Sequence, residues 1–189
     1  IPKVRAVNTY GTANIAQAAA ACGASIIYLS TDYVFDGKGN RPWQPDDDTF
    51  APLNVYGQTK LEGEMAVKAA TDRFFIVRTA WVFGLSGNNF IKTMVRLSED
   101  HDMVRVVSDQ IGTPTYTYDL ARLLADMAES DRYGYYHATN SECEPGGFIS
   151  WYDLAVEIYR QTGAAAEVCP VTTADYGLSK AARPANSRL

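Results

Sequence analysis

The chain alternates short apolar runs with longer segments of helical periodicity. Residues 25–30 and 74–79 are runs of six mostly apolar residues, a length that suits strands buried on both faces of a sheet. Strands that alternate with helices indicate an α/β fold with a parallel sheet. Ser150 and Asp153 have the spacing of a capping box for the last of the predicted helices. Further strands are predicted at 103–107 and 133–137, and helices at 7–21, 56–70, 89–98, 118–129 and 151–162.

Composition narrows the class of function. The 189 residues are 47% hydrophobic, enough for a sizeable core, and their net charge of −5 comes without a basic stripe. This argues against nucleic acid as the main partner. No run of about 18 apolar residues occurs, so no membrane span is predicted. Cys22, Cys143 and Cys169 lack metal-site spacing, which predicts reduced thiols, a cytoplasmic location and no metal site.

Tyr56 and Lys60 stand four residues apart at the start of a predicted helix, so their side chains share a face. A lysine cation near a phenol favours the tyrosinate, and lowering a phenol from about 10 toward neutrality takes roughly 4 kcal/mol. The pair therefore suits proton donation to a carbonyl that becomes an alcohol. Tyr176 and Lys180 have the same spacing but follow no strand that ends in Ser or Thr, so they are interpreted as a solvated pair.

Polar residues follow the two best predicted strands, where ligands of parallel α/β sheets bind. Thr31 ends the first strand, and Thr79 ends the second. Thr31 is expected to hydrogen-bond a substrate carbonyl oxygen while Tyr56 protonates it. Ser30 points to the opposite face of the strand, so only one of the two hydroxyls can serve. Segment 38–52, rich in Gly, Pro and Asp, is predicted to be a solvated loop.

Six blocks of sequence carry a resemblance to a known family. Together they resemble the extended short-chain dehydrogenase/reductase superfamily and, within it, the family of dTDP-4-dehydrorhamnose reductases. The blocks occur in the family's order along nearly the whole chain. They are Ser30–Gly37, Pro52–Glu64, Arg78–Gly84, Asn88–Phe90, Asp109–Thr115 and Arg183–Leu189.

The resemblance implies a set of site residues. It implies catalysis by Thr31, Tyr56 and Lys60, and cofactor binding by these three with Val82 and Phe83. It implies NADPH as cofactor, with NADH as the alternative, and leaves a role for Mg²⁺ and a homodimer open. The implied partner is a nucleotide sugar, bound by Thr31, Asp32, Tyr33, Val34, Phe35, Trp81, Asn88, Asn89, Gln110, Thr113 and Arg183.

The glycine-rich turn that opens such a reductase is missing before the Thr31 strand. The chain is therefore expected to be a fragment that lacks the first half of the dinucleotide-binding fold and that is inactive alone. Residues 1–85 are expected to form the second half of that Rossmann-like fold. Residues 86–189 are expected to be mainly a small α/β substrate-binding portion, with some segments returning to the Rossmann core.

The resemblance implies reduction of the C4 ketone of dTDP-4-dehydro-L-rhamnose to dTDP-L-rhamnose. One alternative is another nucleotide-sugar reductase or epimerase of the superfamily, and a second is a non-catalytic protein like the regulatory subunit of methionine adenosyltransferase. Local alternatives stay open as well. Asn88 and Asn89 could cap a helix, Arg183 could form a rim salt bridge, and His137 is interpreted as structural.

Overall fold

The computed structural model describes residues 1–141, 147–177 and 181–189. Cys143 and Lys180, predicted to be an inert thiol and the partner of Tyr176, lie outside these residues. A nearly continuous helix opens the chain as α1 (Pro2–Arg5), a π-helical segment (Ala6–Gly11) and α2 (Thr12–Ala21). The helices that follow are α3 (Val55–Ala70), α4 (Phe90–Asp100), α5 (Thr117–Ala128), α6 (Trp151–Thr162) and α7 (Thr173–Tyr176), with a 3₁₀ turn at Asp32–Val34.

A parallel sheet in the order β1-β2-β7 is built from the two apolar runs and a later strand. Ile26 pairs with Phe74 and Thr31 with Thr79, so β1 and β2 end at the same edge. The α/β fold class is therefore confirmed. The strands are β1 (Ile26–Thr31), β2 (Phe74–Thr79), β3 (Val82–Phe83), β4 (Met103–Val107), β5 (Ile111–Gly112), β6 (Thr115–Tyr116), β7 (Gly134–His137), β8 (Ile149–Ser150), β9 (Glu167–Val171) and β10 (Asn186–Ser187).

Helices cover both faces of this sheet. All six residues of β2 are buried, which explains why its first four residues are apolar without alternation. Burial of each large apolar side chain contributes about 1.5–3 kcal/mol. On one face the cluster is Ala16, Ile26, Tyr28, Val67, Phe74 and Ile76. On the other it is Phe75, Val77, Leu120, Met127 and Ala138.

A second core lies around the parallel pair of β4 and β9. Strand β9 is not predicted from the sequence. It contains Pro170, which is rare inside strands, and its residues are exposed or only partly buried, so it lacks a long apolar run. The predicted capping box at the start of α6 is present, with Ser150 and Asp153 bonding each other's backbone N–H groups. Met94, Val104, Val106, Ala155, Ile158 and Tyr159 form the core cluster.

The predicted helices and longer strands are confirmed with ends that move by at most two residues, except that the first helix begins at Pro2. Segment 38–52 is a loop held by residues 183–189. Asn186 Nδ2 donates to the Arg41 carbonyl at 2.8 Å, and Trp43 N–H donates to the Arg188 carbonyl at 2.9 Å. Among the described residues, no helix is both long and apolar enough to cross a membrane.

A buried ion pair ties α3 to β2. Arg78 donates to both carboxylate oxygens of Glu64, from Nε to Oε1 at 3.0 Å and from Nη2 to Oε2 at 2.8 Å. Ser30 of β1 also donates to Glu64. Glu64 and Arg78 are only 2% and 1% exposed, so their desolvation cost is offset by this two-point bond.

Candidate active site

The first turn of α3 lies directly against the turn that follows β1. Asn54 caps the helix by accepting a bond from Gly57 N–H at 2.9 Å. A Cβ at Gly57 would lie 2.1 Å from the Tyr33 carbonyl oxygen, so only glycine permits this approach. The Tyr56 ring consequently meets the Tyr33 ring edge-on, with centroids 5.6 Å apart.

Thr31 and Asp32 form the polar end of β1. The Thr31 hydroxyl donates to Asp32 Oδ1 at 2.9 Å, and the Ser187 hydroxyl donates to Asp32 Oδ2 at 2.5 Å. Asp32 is 2% exposed and forms no ion pair with the described residues. Its burial raises the pKa of the carboxyl to about 6, although bonds from Ser187 and Thr31 act in the opposite direction.

These groups line a cavity of about 380 Å³ at the carboxyl ends of β1 and β2, which we call the first cavity. Ligands of parallel α/β sheets bind at this edge. Of the residues that the sequence singled out for the site, the first cavity brings together Thr31, Asp32, Tyr33, Tyr56, Trp81, Val82, Gln110 and Arg183. The rest of its lining is Ser30, Thr79, Ala80, Trp151, Pro184 and Ser187.

Tyr56 and Lys60 have different surroundings from those predicted. Desolvation raises the pKa of Tyr56, and the Thr31 side chain only partly opposes this. The Lys60 ammonium lies 4.0 Å from the centre of the Tyr28 ring. Burial lowers the pKa of Lys60 to about 8, with the Glu64 charge acting in the opposite direction. The predicted lowering of the Tyr56 pKa by Lys60 is therefore not met, because desolvation dominates and Lys60 stands over another ring.

Val34 and Phe35 require a correction. They were expected to bind substrate, but both are 0% exposed. They pack with Trp43 and Leu61 in a core cluster beneath the 3₁₀ turn, and the Phe35 ring stacks on Trp43 at 4.4 Å. Their apolar side chains fix the turn that presents Asp32 and Tyr33, and they have no exposed surface to offer a ligand.

Four other predicted residues lie outside the lining of the first cavity. Asn89 caps α4, accepting from Lys92 N–H at 3.1 Å, so the cap interpretation is confirmed for it. Asn88 is exposed in the preceding loop. Phe83 stacks on Tyr116 at 5.4 Å, and Thr113 is buried with its hydroxyl oxygen unpaired. Ligand binding by these residues stays a prediction.

His137 is a structural residue, as its sequence context predicted. Its Nδ1 atom lies 3.1 Å from the Trp43 carbonyl oxygen, which can only accept a hydrogen bond. Burial, with the Arg78 charge, lowers the pKa of His137 to about 4. Among the described residues, no group of three His, Cys, Asp or Glu side chains could hold a metal ion.

Trp81 and Trp151 form the aromatic side of the first cavity. Their rings stack with centroids 3.6 Å apart and planes inclined by 15°. Trp151 also borders a second cavity of about 400 Å³. Three residues, Gln110, Trp151 and Arg183, line both cavities. The second cavity is otherwise lined by Phe90, Thr93, Met94, Leu97, Arg105, Val106, Val107, Thr173 and Tyr176.

Comparison with known proteins agrees with this geometry. Residues 3–189 match the family model described as RmlD substrate binding domain. The chain belongs to this family. It is 42% identical over 195 aligned positions to a dTDP-4-dehydrorhamnose reductase of Aggregatibacter actinomycetemcomitans, covering 97% of the chain and 64% of that relative. The resemblance that the six sequence blocks carried is thereby confirmed.

Two crystal structures of proteins named dTDP-4-dehydrorhamnose reductase have the same fold. That from Clostridium acetobutylicum ATCC 824 matches 96% of the chain with a TM-score of 0.89 and 47% identity. That from Bacillus anthracis str. Ames, in complex with NADP, also matches 96% of the chain, with a TM-score of 0.86 and 39% identity. The chain covers 62% of each solved structure and 64% of the first curated relatives it matches.

Two residues that line the first cavity were missed by sequence reasoning. Ser187 lies in a block quoted for the resemblance, but nothing in its spacing connects it to Asp32, 155 residues away. Trp151 begins α6 directly after its capping serine, and a helix start is usually interpreted as packing. Only the tertiary structure brings Trp151 to Trp81.

Proposed function

We propose that the full-length protein is an NADPH-dependent reductase that converts the C4 ketone of dTDP-4-dehydro-L-rhamnose to the alcohol of dTDP-L-rhamnose. The observation that carries this proposal is the first cavity, because Thr31, Tyr56 and Trp81 all line it. Relatives named dTDP-4-dehydrorhamnose reductase support the choice of substrate and the direction of the reaction.

Tyr56 is the proton donor in this proposal. Its raised pKa keeps the phenol protonated at neutral pH, so it can give a proton to an oxygen on which negative charge develops. Thr31 would donate a hydrogen bond to the same oxygen. To do so its hydroxyl must turn away from Asp32 Oδ1, to which it now donates.

The residues around Lys60 fit a nicotinamide cofactor. The Lys60 ammonium has no hydrogen-bond acceptor among the described residues, so it is available to ribose hydroxyls. Lys60 does not itself line the first cavity, whereas Tyr56 and Val82, which are 46% and 45% exposed, do. NADPH, when bound, supplies the hydride that adds to C4. The NADP complex of a relative supports this choice of cofactor.

A nucleotide sugar also fits the shape of the site. Such a ligand has two bulky parts joined by a diphosphate, and the two cavities meet at Gln110, Trp151 and Arg183. Arg183 is exposed and forms no ion pair with the described residues, so its guanidinium is available to two phosphate oxygens. The sugar would occupy the first cavity and the nucleoside the second.

The same proposal assigns the chain to two portions. Residues 1–85 would belong to the cofactor-binding fold, and residues 86–189 mainly to the substrate-binding portion. The pairing of β7 with β2 supports the return of one later segment to the cofactor-binding sheet.

The test is NADPH oxidation by the full-length protein with dTDP-4-dehydrorhamnose. We expect turnover, and we expect Tyr56→Phe to reduce kcat by about 10²–10⁴-fold, the usual contribution of a positioned general acid. Tyr10→Phe is the matched control, because Tyr10 is 62% exposed on the first helix and does not line the first cavity.

Normal turnover by Tyr56→Phe would disprove the role of its phenol. Turnover of another 4-keto sugar nucleotide, but not of dTDP-4-dehydrorhamnose, would favour a sister reductase. Tight NADPH binding with no turnover of any such sugar would favour the regulatory-subunit alternative.

A further inference from the structure

The backbone of Trp81 is in a conformation that side-chain-bearing residues rarely adopt. Its φ is 49°, and within the described residues every other positive φ belongs to a glycine. The left-handed region brings Cβ too close to the following carbonyl oxygen, so this conformation persists only where neighbours hold it. Strained residues of this kind cluster at ligand sites.

Backbone bonds account for part of what holds Trp81. Its carbonyl oxygen accepts from Thr115 N–H at 3.2 Å, and the Thr115 hydroxyl donates to the preceding carbonyl, that of Ala80, at 2.7 Å. These bonds fix the main chain at the end of β2. They leave the direction of the indole to its side-chain contacts.

Two contacts fix that direction. The indole lies against the backbone of β5, where a Cβ at Gly112 would be 2.8 Å from Trp81 Cε2. It also stacks on Trp151 at 3.6 Å with nearly parallel planes. A glycine at 112 and a flat ring at 151 therefore form the slot that the Trp81 indole occupies.

Trp151 is itself firmly placed. It is the first residue of α6 and lies between Ser150 and Asp153, the two residues of the capping box. Ser150 pairs with Ile111 in the β5–β8 ladder, which joins the start of α6 to the strand that carries Gly112. The ring of Phe90, on α4, packs on Trp151 with centroids 4.6 Å apart. Trp151 is thus anchored independently of Trp81.

We propose that Trp151 is a positioning residue for sugar recognition, which holds the strained Trp81 indole in the orientation that lines the first cavity. This inference rests on the proposed function, because it assigns Trp81 to the sugar. Without the stack, the bonds from Thr115 still hold the main chain, but nothing on the Trp151 side keeps the indole in its orientation. The indole would then leave the slot.

The first experiment tests the stack without using turnover. In full-length protein labelled with 5-fluorotryptophan, Trp151→Phe and Trp151→Leu are expected to shift the ¹⁹F resonance of Trp81, because a ring at 3.6 Å contributes a strong ring current. The Trp43 resonance is the internal control, since Trp43 packs on Phe35 in a different cluster. A Trp81 resonance that moves no more than that of Trp43 in either variant would overturn the inference.

The second experiment tests the consequence for the substrate. Trp151→Leu is expected to raise KM for dTDP-4-dehydrorhamnose about tenfold, of the order expected when an aromatic contact is lost, with kcat and the KM for NADPH little changed. Trp151→Phe should retain most of the affinity. Because Trp151 acts through Trp81, the double variant with Trp81→Leu should bind no worse than Trp81→Leu alone.

Additive increases in KM would mean that Trp151 contacts the sugar directly, and would overturn the positioning role. Equal losses in kcat for Trp151→Phe and Trp151→Leu would do the same. Failure of the proposed function is distinguishable, because it removes turnover from the unchanged protein while the fluorine experiment still decides whether Trp151 holds Trp81.

Discussion

Two carboxylates in this chain are equally buried but differ in the groups that bond them. Glu64 and Asp32 are each 2% exposed. Glu64 is held by two bonds from the Arg78 guanidinium, whereas Asp32 is held by the hydroxyls of Thr31 and Ser187 and, among the described residues, by no cation. Burial alone therefore does not separate a structural acid from an acid of the site, whereas charge compensation does.

The location of each carboxylate explains the difference. Glu64 lies between α3 and the interior of the sheet, where an uncompensated charge would be costly and where Arg78 also bonds the carbonyl of Pro45. Asp32 lines the first cavity at the sheet edge. There a weakly compensated carboxylate with a raised pKa can accept hydrogen bonds from a bound ligand.

The largest expected effect is at Glu64. Glu64→Gln should lower the free energy of unfolding by about 3–5 kcal/mol, because it leaves the buried Arg78 charge without its partner. Denaturant titration of the full-length protein measures this. Glu62→Gln is the matched control on the same helix, since Glu62 pairs at the surface with Arg5 and should cost less than about 1 kcal/mol.

If the two glutamine variants lose the same small amount of stability, the interpretation of Glu64 as a structural acid is wrong. The comparison with Asp32 would then lose its basis.

The next effect is a pH dependence at Asp32. Its folded pKa of about 6 exceeds the ordinary 3.8, so between these values the folded state binds more protons than the unfolded state. The free energy of unfolding therefore falls as pH rises through this range. The Asp32→Asn variant has no carboxyl to ionise, so its free energy of unfolding does not fall in this way. The difference between the free energy of unfolding of the variant and that of the unchanged protein should therefore rise by up to about 3 kcal/mol from pH 4 to pH 8.

Unfolding curves of both proteins at pH 4, 6 and 8 provide this difference. Parallel pH profiles would show that Asp32 ionises in the folded state as it does in the unfolded chain, and that the cavity does not disfavour its charge.

The smallest effect is expected at Ser187. Ser187→Ala removes a donor to the Asp32 carboxylate, which should cost about 1 kcal/mol at pH 8 and less at pH 4, where the carboxyl is protonated. It should also raise the Asp32 pKa further, which NMR titration of the carboxyl would detect. Ser98→Ala, which removes a hydroxyl bonded to a carbonyl within α4, should show no such pH dependence.

Local pattern was enough to predict most of the regular structure. The run that became β2 is apolar because both of its faces are covered, whereas in β1 Leu29 is 42% exposed. The longer helices carry their periodicity and caps in the sequence. The two-residue strands β3, β5, β6, β8 and β10 were missed, because segments this short carry no period.

The site was predictable where its residues directly follow a predicted strand or begin a predicted helix. Thr31, Asp32, Tyr33 and Tyr56 line the first cavity, as their strand-end and helix-start positions suggested. Val34 and Phe35 were wrongly grouped with them, because a motif read along the chain does not show which side chains turn inward. The stack of Trp151 on Trp81 depends on distant segments, which local sequence does not encode.

The bond between Ser187 and Asp32 also has a consequence for how the molecule folds. It joins residues 155 positions apart, and residues 183–189 are held by loop 38–52 as well. Contacts of such long range form late, because the chain must first lose the entropy of closing a large loop. The sheet can therefore assemble before its ligand-binding edge is complete. During refolding, the ability to bind ligand should appear after secondary structure. A newly synthesised chain becomes able to bind ligand only when residues 183–189 have packed against loop 38–52.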